Sequence, residues 1–209
     1  MVLGSEESQL KTILLILNES DLLDDMAVHN LFSRFSGVEK EGVKNLIVYV
    51  DFLKTINAES KDSLILFLKD KIRAAALYFS SFPVMIIEEY EPLSESAESD
   101  SDKMPVRFVL GLRGRDELKR ILSDFIIRCR NKEVQTSEMT PEYISGSLKL
   151  PWEPDLILSH AKHTLTDFMI WQTVYSEYYF FEKEIVRLTD SDFKKAFDSF
   201  HKRERRYGT

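Results

Sequence analysis

The C-terminal end of this chain, His201-Lys202-Arg203-Glu204-Arg205-Arg206-Tyr207-Gly208-Thr209, holds its most suggestive chemistry. Guanidinium forks at Arg205 and Arg206 can grip a diphosphate bidentately, and Gly208 allows close backbone approach. A basic helix end favoured by the dipole would look the same, so residue types alone leave both open. His160 and His163, three apart, could share a metal, but neither the Glu of a zincin motif nor a Cys accompanies them. Glu88, Glu89 and Glu91 could collect a cation, although a solvated face accounts for them better. Gly111-Leu112-Arg113-Gly114-Arg115 reads as a strand-to-helix turn whose amides can receive an anion, and a plain tight turn needs the same glycines. His29 reads as a helix-surface residue with no evident partner. Phe168, Trp171, Tyr175, Tyr178, Tyr179, Phe180 and Phe181 could line a cavity, yet such large aromatics suit a core or subunit interface better.

The elements that must position these groups are legible as short apolar runs. Ile13–Leu17, Leu46–Val50, Phe82–Ile87, Val106–Leu110 and Leu156–Leu158 show no alternation, as expected of strands buried on both faces. Helices are expected from Ser20 or Asp21, from about Ser60 to Phe79, from Asp116 to Arg130 and from Ser191 to Arg206. Strands alternating with helices indicate a single α/β domain over 1–209 with a mostly parallel central sheet flanked by helices. Ser94, Ser96, Ser99 and Ser101 lie among acids in an expected solvated loop at about 91–104.

Composition narrows the function classes. Among 209 residues, 28 Lys and Arg face 35 Asp and Glu, a net charge of -7 that disfavours a general nucleic-acid binder. The single cysteine, Cys129, excludes an intrachain disulfide and fits a reducing compartment. Every apolar run is far shorter than the ~20 residues of a membrane span. A cytoplasmic protein is expected, with at most peripheral membrane contact through a complex.

From Pro154 onward the sequence resembles the cis-prenyltransferases, the undecaprenyl and dehydrodolichyl diphosphate synthases. Phe168-Met169-Ile170-Trp171-Gln172-Thr173-Val174-Tyr175-Ser176-Glu177-Tyr178-Tyr179-Phe180 is similar to the family's F-L-L-W-Q-x-A-Y-[AS]-E-[FY]-Y-F segment. Asp192-Phe193 with Arg203-Glu204-Arg205-Arg206-Tyr207-Gly208 is similar to its D-F … R-E-R-R-[FY]-G ending, and Pro154-Asp155-Leu156-Ile157-Leu158 to its P-D-L-[LV]-I strand. Upstream, Gly42–Tyr49 is similar to G-[IV]-K-x-L-T-L-Y and Gly114–Leu118 to G-R-x-E-[IL].

The departures carry as much meaning as the matches. Where the family has its catalytic aspartate after the first strand, this chain has Asn18, and Glu19-Ser20-Asp21-Leu22 replaces the phosphate-gripping G-N-R-R. Ser159–Thr164 replaces the R-T-G-G-E-x-R loop, so both arginines that would hold isopentenyl diphosphate are missing. The helix between the third and fourth strands, part of the family's product tunnel, gives way to the acidic Ser-rich stretch. His163 and Glu177 fall at positions the family associates with magnesium.

The resemblance therefore implies a non-catalytic accessory subunit of a heteromeric enzyme making long-chain polyprenyl diphosphate of undecaprenyl or dolichol type, similar to the Nogo-B receptor. Arg206 and Gly208, with Arg205, would complete the isopentenyl diphosphate site of a catalytic partner. Trp171, Tyr175, Tyr178 and Phe180 would form the dimer interface, in a heterodimer, a heterotetramer or a homodimer. Magnesium would be held mainly by the partner. Two alternatives stand beside this: a self-sufficient divergent homodimeric enzyme, and an adaptor that has lost prenyl chemistry.

Overall fold

Short runs of Leu, Ile and Val that hide both faces can satisfy their backbone only by pairing with one another. The computed structural model, which describes residues 9–53, 55–88, 102–160, 168–184 and 187–203, joins them into one six-stranded sheet. Strands β1 (Thr12–Asn18), β2 (Asn45–Asp51), β3 (Val84–Glu88), β4 (Val106–Leu110), β5 (Leu156–His160) and β6 (Glu177–Phe181) lie in the order β3-β4-β2-β1-β5-β6. Every ladder is parallel, and β1 to β5 match the expected strands within a few residues.

Strand parity sorts the side chains into two layers. Ile13, Leu15, Leu17, Val48, Phe108 and Leu158 face a layer built from α1 (Asp25–Lys40), α2 (Ala58–Tyr78) and α5 (Asp190–His201). There Phe32 stacks on Phe108 at 5.6 Å and on Phe79 at 5.8 Å, and Phe35 meets Phe82 edge-on at 6.1 Å. These rings fill the space between the helices and the sheet; each buried Phe is worth about 1.5–3 kcal/mol. Leu14, Ile16, Ile47, Tyr49 and Ile157 face the other side, packed against Leu112, Leu150, Phe168 and Met169. Helices α3 (Gly114–Arg130) and α4 (Pro141–Ser147) bridge β4 to β5.

Three differences from the sequence reading have local causes. Helix α1 starts at Asp25, capped by Asp24, whose carboxylate accepts the Met26 N–H at 2.9 Å. Asp21 is not the cap because its carboxylate turns back to accept the Asn18 N–H at 2.8 Å, closing a 3-10 turn over Glu19–Leu22. The expected loop at about 91–104 falls largely outside the described residues, but its end is core: Met104 is buried, and its N–H donates to Glu39 Oε1 at 3.0 Å. The final helix ends at His201 instead of Arg206, and 204–209 lie outside the described residues.

Asp155 joins the neighbouring strands β1 and β5 at their starts. Its Oδ2 accepts the backbone N–H groups of Lys11 and Thr12 at 2.8 and 2.9 Å. Two bonds to an ionised acceptor make Asp155→Ala costly, about 2–3 kcal/mol, because two backbone donors lose their partner. Chemical denaturation at neutral pH reads this directly; an unchanged midpoint would remove Asp155 from the role.

Candidate functional site

In an open parallel sheet the crevice lies at the carboxyl ends of the strands, where consecutive connections part to opposite sides. Here β1 sits between β2 and β5, so the chain ends that meet at this place are Asn18, Asp51, Gly111 just after β4, and His160. Asn18 and Asp51 are partners across the β1–β2 ladder and share a face.

The surroundings of Asn18 are acidic, and Asp21, Asp24 and Asp25 are already engaged. The positive N-terminus of α1 would ordinarily attract a phosphate. Instead Asp24 caps it, and Asp25 in its first turn pairs with the Lys71 ammonium. That hydrogen bond and charge hold the Asp25 carboxyl below its usual range. Lys71 also donates to the Leu23 carbonyl at 2.7 Å. Glu19 is buried, only 6% exposed, and makes no side-chain hydrogen bond or ion pair among the described residues. The carboxylates of Glu19, Asp21, Asp24 and Asp25 oppose a diphosphate placed here.

A small cleft of about 80 Å³ opens beside it, between the ends of β2 and β4. Lys61 and Arg113 line it with Tyr49 and Asp51. Gly111 takes φ +77 there, and Lys61 Nζ donates to its carbonyl at 3.1 Å. The Tyr49 hydroxyl donates to the Leu112 carbonyl, fixing the turn that carries Arg113.

The residues singled out from sequence are dispersed. Glu88 is not on a solvated face: Lys69 crosses from α2 to pair with it, both side chains largely buried. Glu89 and Glu91 lie outside the described residues, as do His163, Arg205, Arg206 and Gly208. His160 is buried, with Nε2 3.3 Å from the Glu182 carbonyl, a bond that requires the proton on Nε2. His29 has partners after all: its ring lies 5.0 Å from Tyr78 and 5.5 Å from Phe79, because α2 packs directly on α1.

Glu177 begins β6 and therefore sits at the opposite end of the sheet from Asn18. The register Ile13↔Leu156↔Glu177 puts it level with Ile13, about 17 Å along the strand direction from Asn18. Its carboxylate receives Arg203 Nη1 at 2.8 Å, and the same nitrogen donates to the Tyr178 carbonyl at 3.0 Å. Within one chain, Glu177 and the Asn18 turn cannot share an ion. Among the described residues no group of three His, Cys, Asp or Glu side chains could hold a metal.

The aromatic segment divides in two. Trp171 faces inward, its indole N–H donating to Ser145 Oγ on α4 at 2.9 Å, and Gln172 Nε2 donates to the Leu150 carbonyl at 3.0 Å. Tyr175 and Phe180 are exposed, and Tyr178 is half-buried and stacks on Phe180 at 6.1 Å. They border β6, an edge strand with one side of its backbone unpaired. Sequence reasoning did not separate β6 as a strand, because Glu-Tyr-Tyr-Phe-Phe is aromatic on both faces and shows no alternation. Asp155 was also missed as a functional anchor, although its place ahead of an apolar strand was visible.

The basic tail is launched by α5, whose start is set by Asp192. The Thr189 N–H and hydroxyl, at 2.9 and 2.7 Å, and Lys183 hold this carboxyl well below its ordinary range. A depressed carboxyl gives stability that is present above its unfolded pKa, near 3.9, and lost as pH falls toward its folded value. Asp192→Asn is expected to cost about 1 kcal/mol at pH 7. The difference from wild type should shrink below about pH 4, as denaturant titrations at both pH values would show.

No helix among the described residues is long and apolar enough to cross a membrane. A family model described as putative undecaprenyl diphosphate synthase matches residues 38–208. The isoprenyl transferase of Thermotoga maritima is 29% identical over 76% of this chain and 69% of its own length. That of Campylobacter jejuni (strain RM1221) is 30% identical over 68% of this chain, which spans 61% of it. The geranylgeranyl-diphosphate-specific tritrans,polycis-undecaprenyl-diphosphate synthase of Thermoplasma volcanium is 29% identical over 83% of this chain and 70% of its own length. Among solved structures, lavandulyl diphosphate synthase from Lavandula x intermedia in complex with dimethylallyl diphosphate gives a TM-score of 0.77 at 16% identity, covering 98% of this chain and all of that one. A probable undecaprenyl diphosphate synthase from Campylobacter jejuni gives 0.74 at 22%, covering 97% of this chain. These structural likenesses speak for the fold. The family match begins inside α1 and leaves out β1 and the Asn18 turn, where the acids gather. With residues 38–208 matched and the parallel sheet in place, the chain belongs to the undecaprenyl diphosphate synthase, or cis-prenyltransferase, family.

Proposed function

We propose that this chain serves polyprenyl diphosphate synthesis as the accessory half of a heteromeric cis-prenyltransferase, in the manner of the Nogo-B receptor. The observation that carries this is the Asn18 turn: a neutral side chain at the strand end, with the neighbouring helix N-terminus capped by the chain's own carboxylates. Electrostatic positioning of diphosphates is the main work of such a site, and this one repels them. The start of the family match at residue 38 supports the same reading.

The partner chain supplies the aspartate, the phosphate-binding arginines, the product tunnel and the magnesium. This chain supplies Arg206 and Gly208, with Arg205, to the partner's isopentenyl diphosphate. Its interface is the β6 border, where Tyr175, Tyr178 and Phe180 present apolar surface beside an unpaired strand edge.

The curated relatives favour a second reading. Those named above are transferases or synthases, so a self-sufficient homodimer built on the same border is the competing assignment. Co-expression with a chain carrying D-G-N-R-R-W and R-T-G-G-E-x-R distinguishes the two. A stable mixed complex at equimolar stoichiometry supports the accessory role. Recovery of homodimers alone, with no mixed species, would overturn it.

A further inference from the structure

We infer that the outer face of α3 docks the protein on an anionic lipid surface. This inference is independent of the prenyltransferase reading, because it rests on that face alone. The buried side of α3 is made by Gly114, Glu117, Ile121 and Phe125, at helical spacing. On the solvent side, Leu122 flanks that face and Ile126 and Ile127 lie beyond it, 44%, 53% and 54% exposed. Lys119 stands one turn before Leu122 and Ser123, and Arg130 one turn after Ile126, so apolar and basic groups share one stripe.

Lys119, Arg120 and Arg130 are exposed and make no ion pair among the described residues. The acids on the exposed side are Asp116, which faces Arg113 at 3.9 Å, and Asp124 at its margin. Arg128 is engaged elsewhere, with Glu133 at 3.6 Å and the Tyr143 hydroxyl at 3.0 Å.

Charge complementarity selects a negative surface. The outer side of a single helix is convex and demands no matching shape, which suits a fluid bilayer. Two or three aliphatic side chains reach the headgroup boundary while long basic side chains snorkel to phosphates. Each cation near an anionic leaflet strengthens binding about fivefold.

Sedimentation with vesicles of phosphatidylcholine, with and without phosphatidylglycerol, tests the inference on the full chain. Binding to the anionic vesicles is expected, weakened in high salt. The pair Lys119→Glu and Arg130→Glu should lower it at least tenfold, as should Leu122→Ser with Ile126→Ser. All four positions are exposed, and circular dichroism verifies the fold of each variant. Failure to sediment, equal binding to neutral vesicles, or unchanged binding by both variants would overturn the inference. An acidic protein bound through this face in place of vesicles would overturn it as well.

Discussion

Arg206→Ala, placed in the assembled complex, is expected to lower turnover by about 100-fold or more while the two chains stay associated. Removing one preorganised donor from a developing or transferring anion costs about that much in other enzymes. A guanidinium that forks onto a diphosphate supplies two charge-assisted bonds at once. Arg206→Lys should recover only part of the loss, since an ammonium cannot reproduce the fork. The neighbouring Arg203 serves as contrast. Its guanidinium is tied to Glu177 and to the Tyr178 carbonyl, so Arg203→Ala should loosen the root of the tail without matching the effect of Arg206→Ala. Steady-state kinetics with gel filtration of the same samples separates chemistry from assembly. Full activity of the Arg206→Ala complex would remove the tail from the diphosphate site.

The largest effect on stability is expected at Gly114, the first residue of α3. A Cβ built there would lie inside 3.0 Å of the Phe168 carbonyl oxygen and 3.1 Å from the Ile170 nitrogen. Both neighbours are backbone, so neither a rotamer change nor a small side-chain shift relieves the clash. Gly114→Ala should therefore cost about 3 kcal/mol, at the upper end of overpacking effects. It should also displace the segment that seats Trp171 against Ser145. Gly146 on α4 provides the control, because a Cβ there meets nothing within 4 Å. Gly146→Ala should be neutral or stabilising by up to about 1 kcal/mol. Equal melting behaviour of the two variants would show that the close approach at Gly114 is not rigid.

Much of the fold could be read from the chain because parallel strands leave a simple trace. Ile13–Leu17 and, apart from the buried Arg107 that lies over the Trp152 ring, Val106–Leu110 are apolar without alternation because helices or loops cover both faces. Helix α2 was equally visible, with Leu64, Leu68, Ile72 and Ala75 at helical spacing. What failed were features decided by tertiary contact. Whether Asp21 or Asp24 caps α1 depends on a turn that only the strand end creates. Glu88 reads as solvated until α2 brings Lys69 over it, and His29 as solitary until Tyr78 arrives.

The candidate site shows the same division. The absence of the aspartate and arginines was legible at Asn18 and Ser159–Thr164, since a missing charge is a property of the residue itself. That Glu177 lies at the far end of the sheet from Asn18 was not, because only the β1–β5–β6 register places it.

The most direct measurement is chain elongation from farnesyl diphosphate and isopentenyl diphosphate in the presence of magnesium. The purified chain is assayed alone, then with a co-expressed catalytic candidate, and that candidate alone. Turnover confined to the mixed complex, with this chain silent by itself, is the predicted result. Robust elongation by this chain alone would contradict it and assign the chemistry to a remodelled site within its own homodimer.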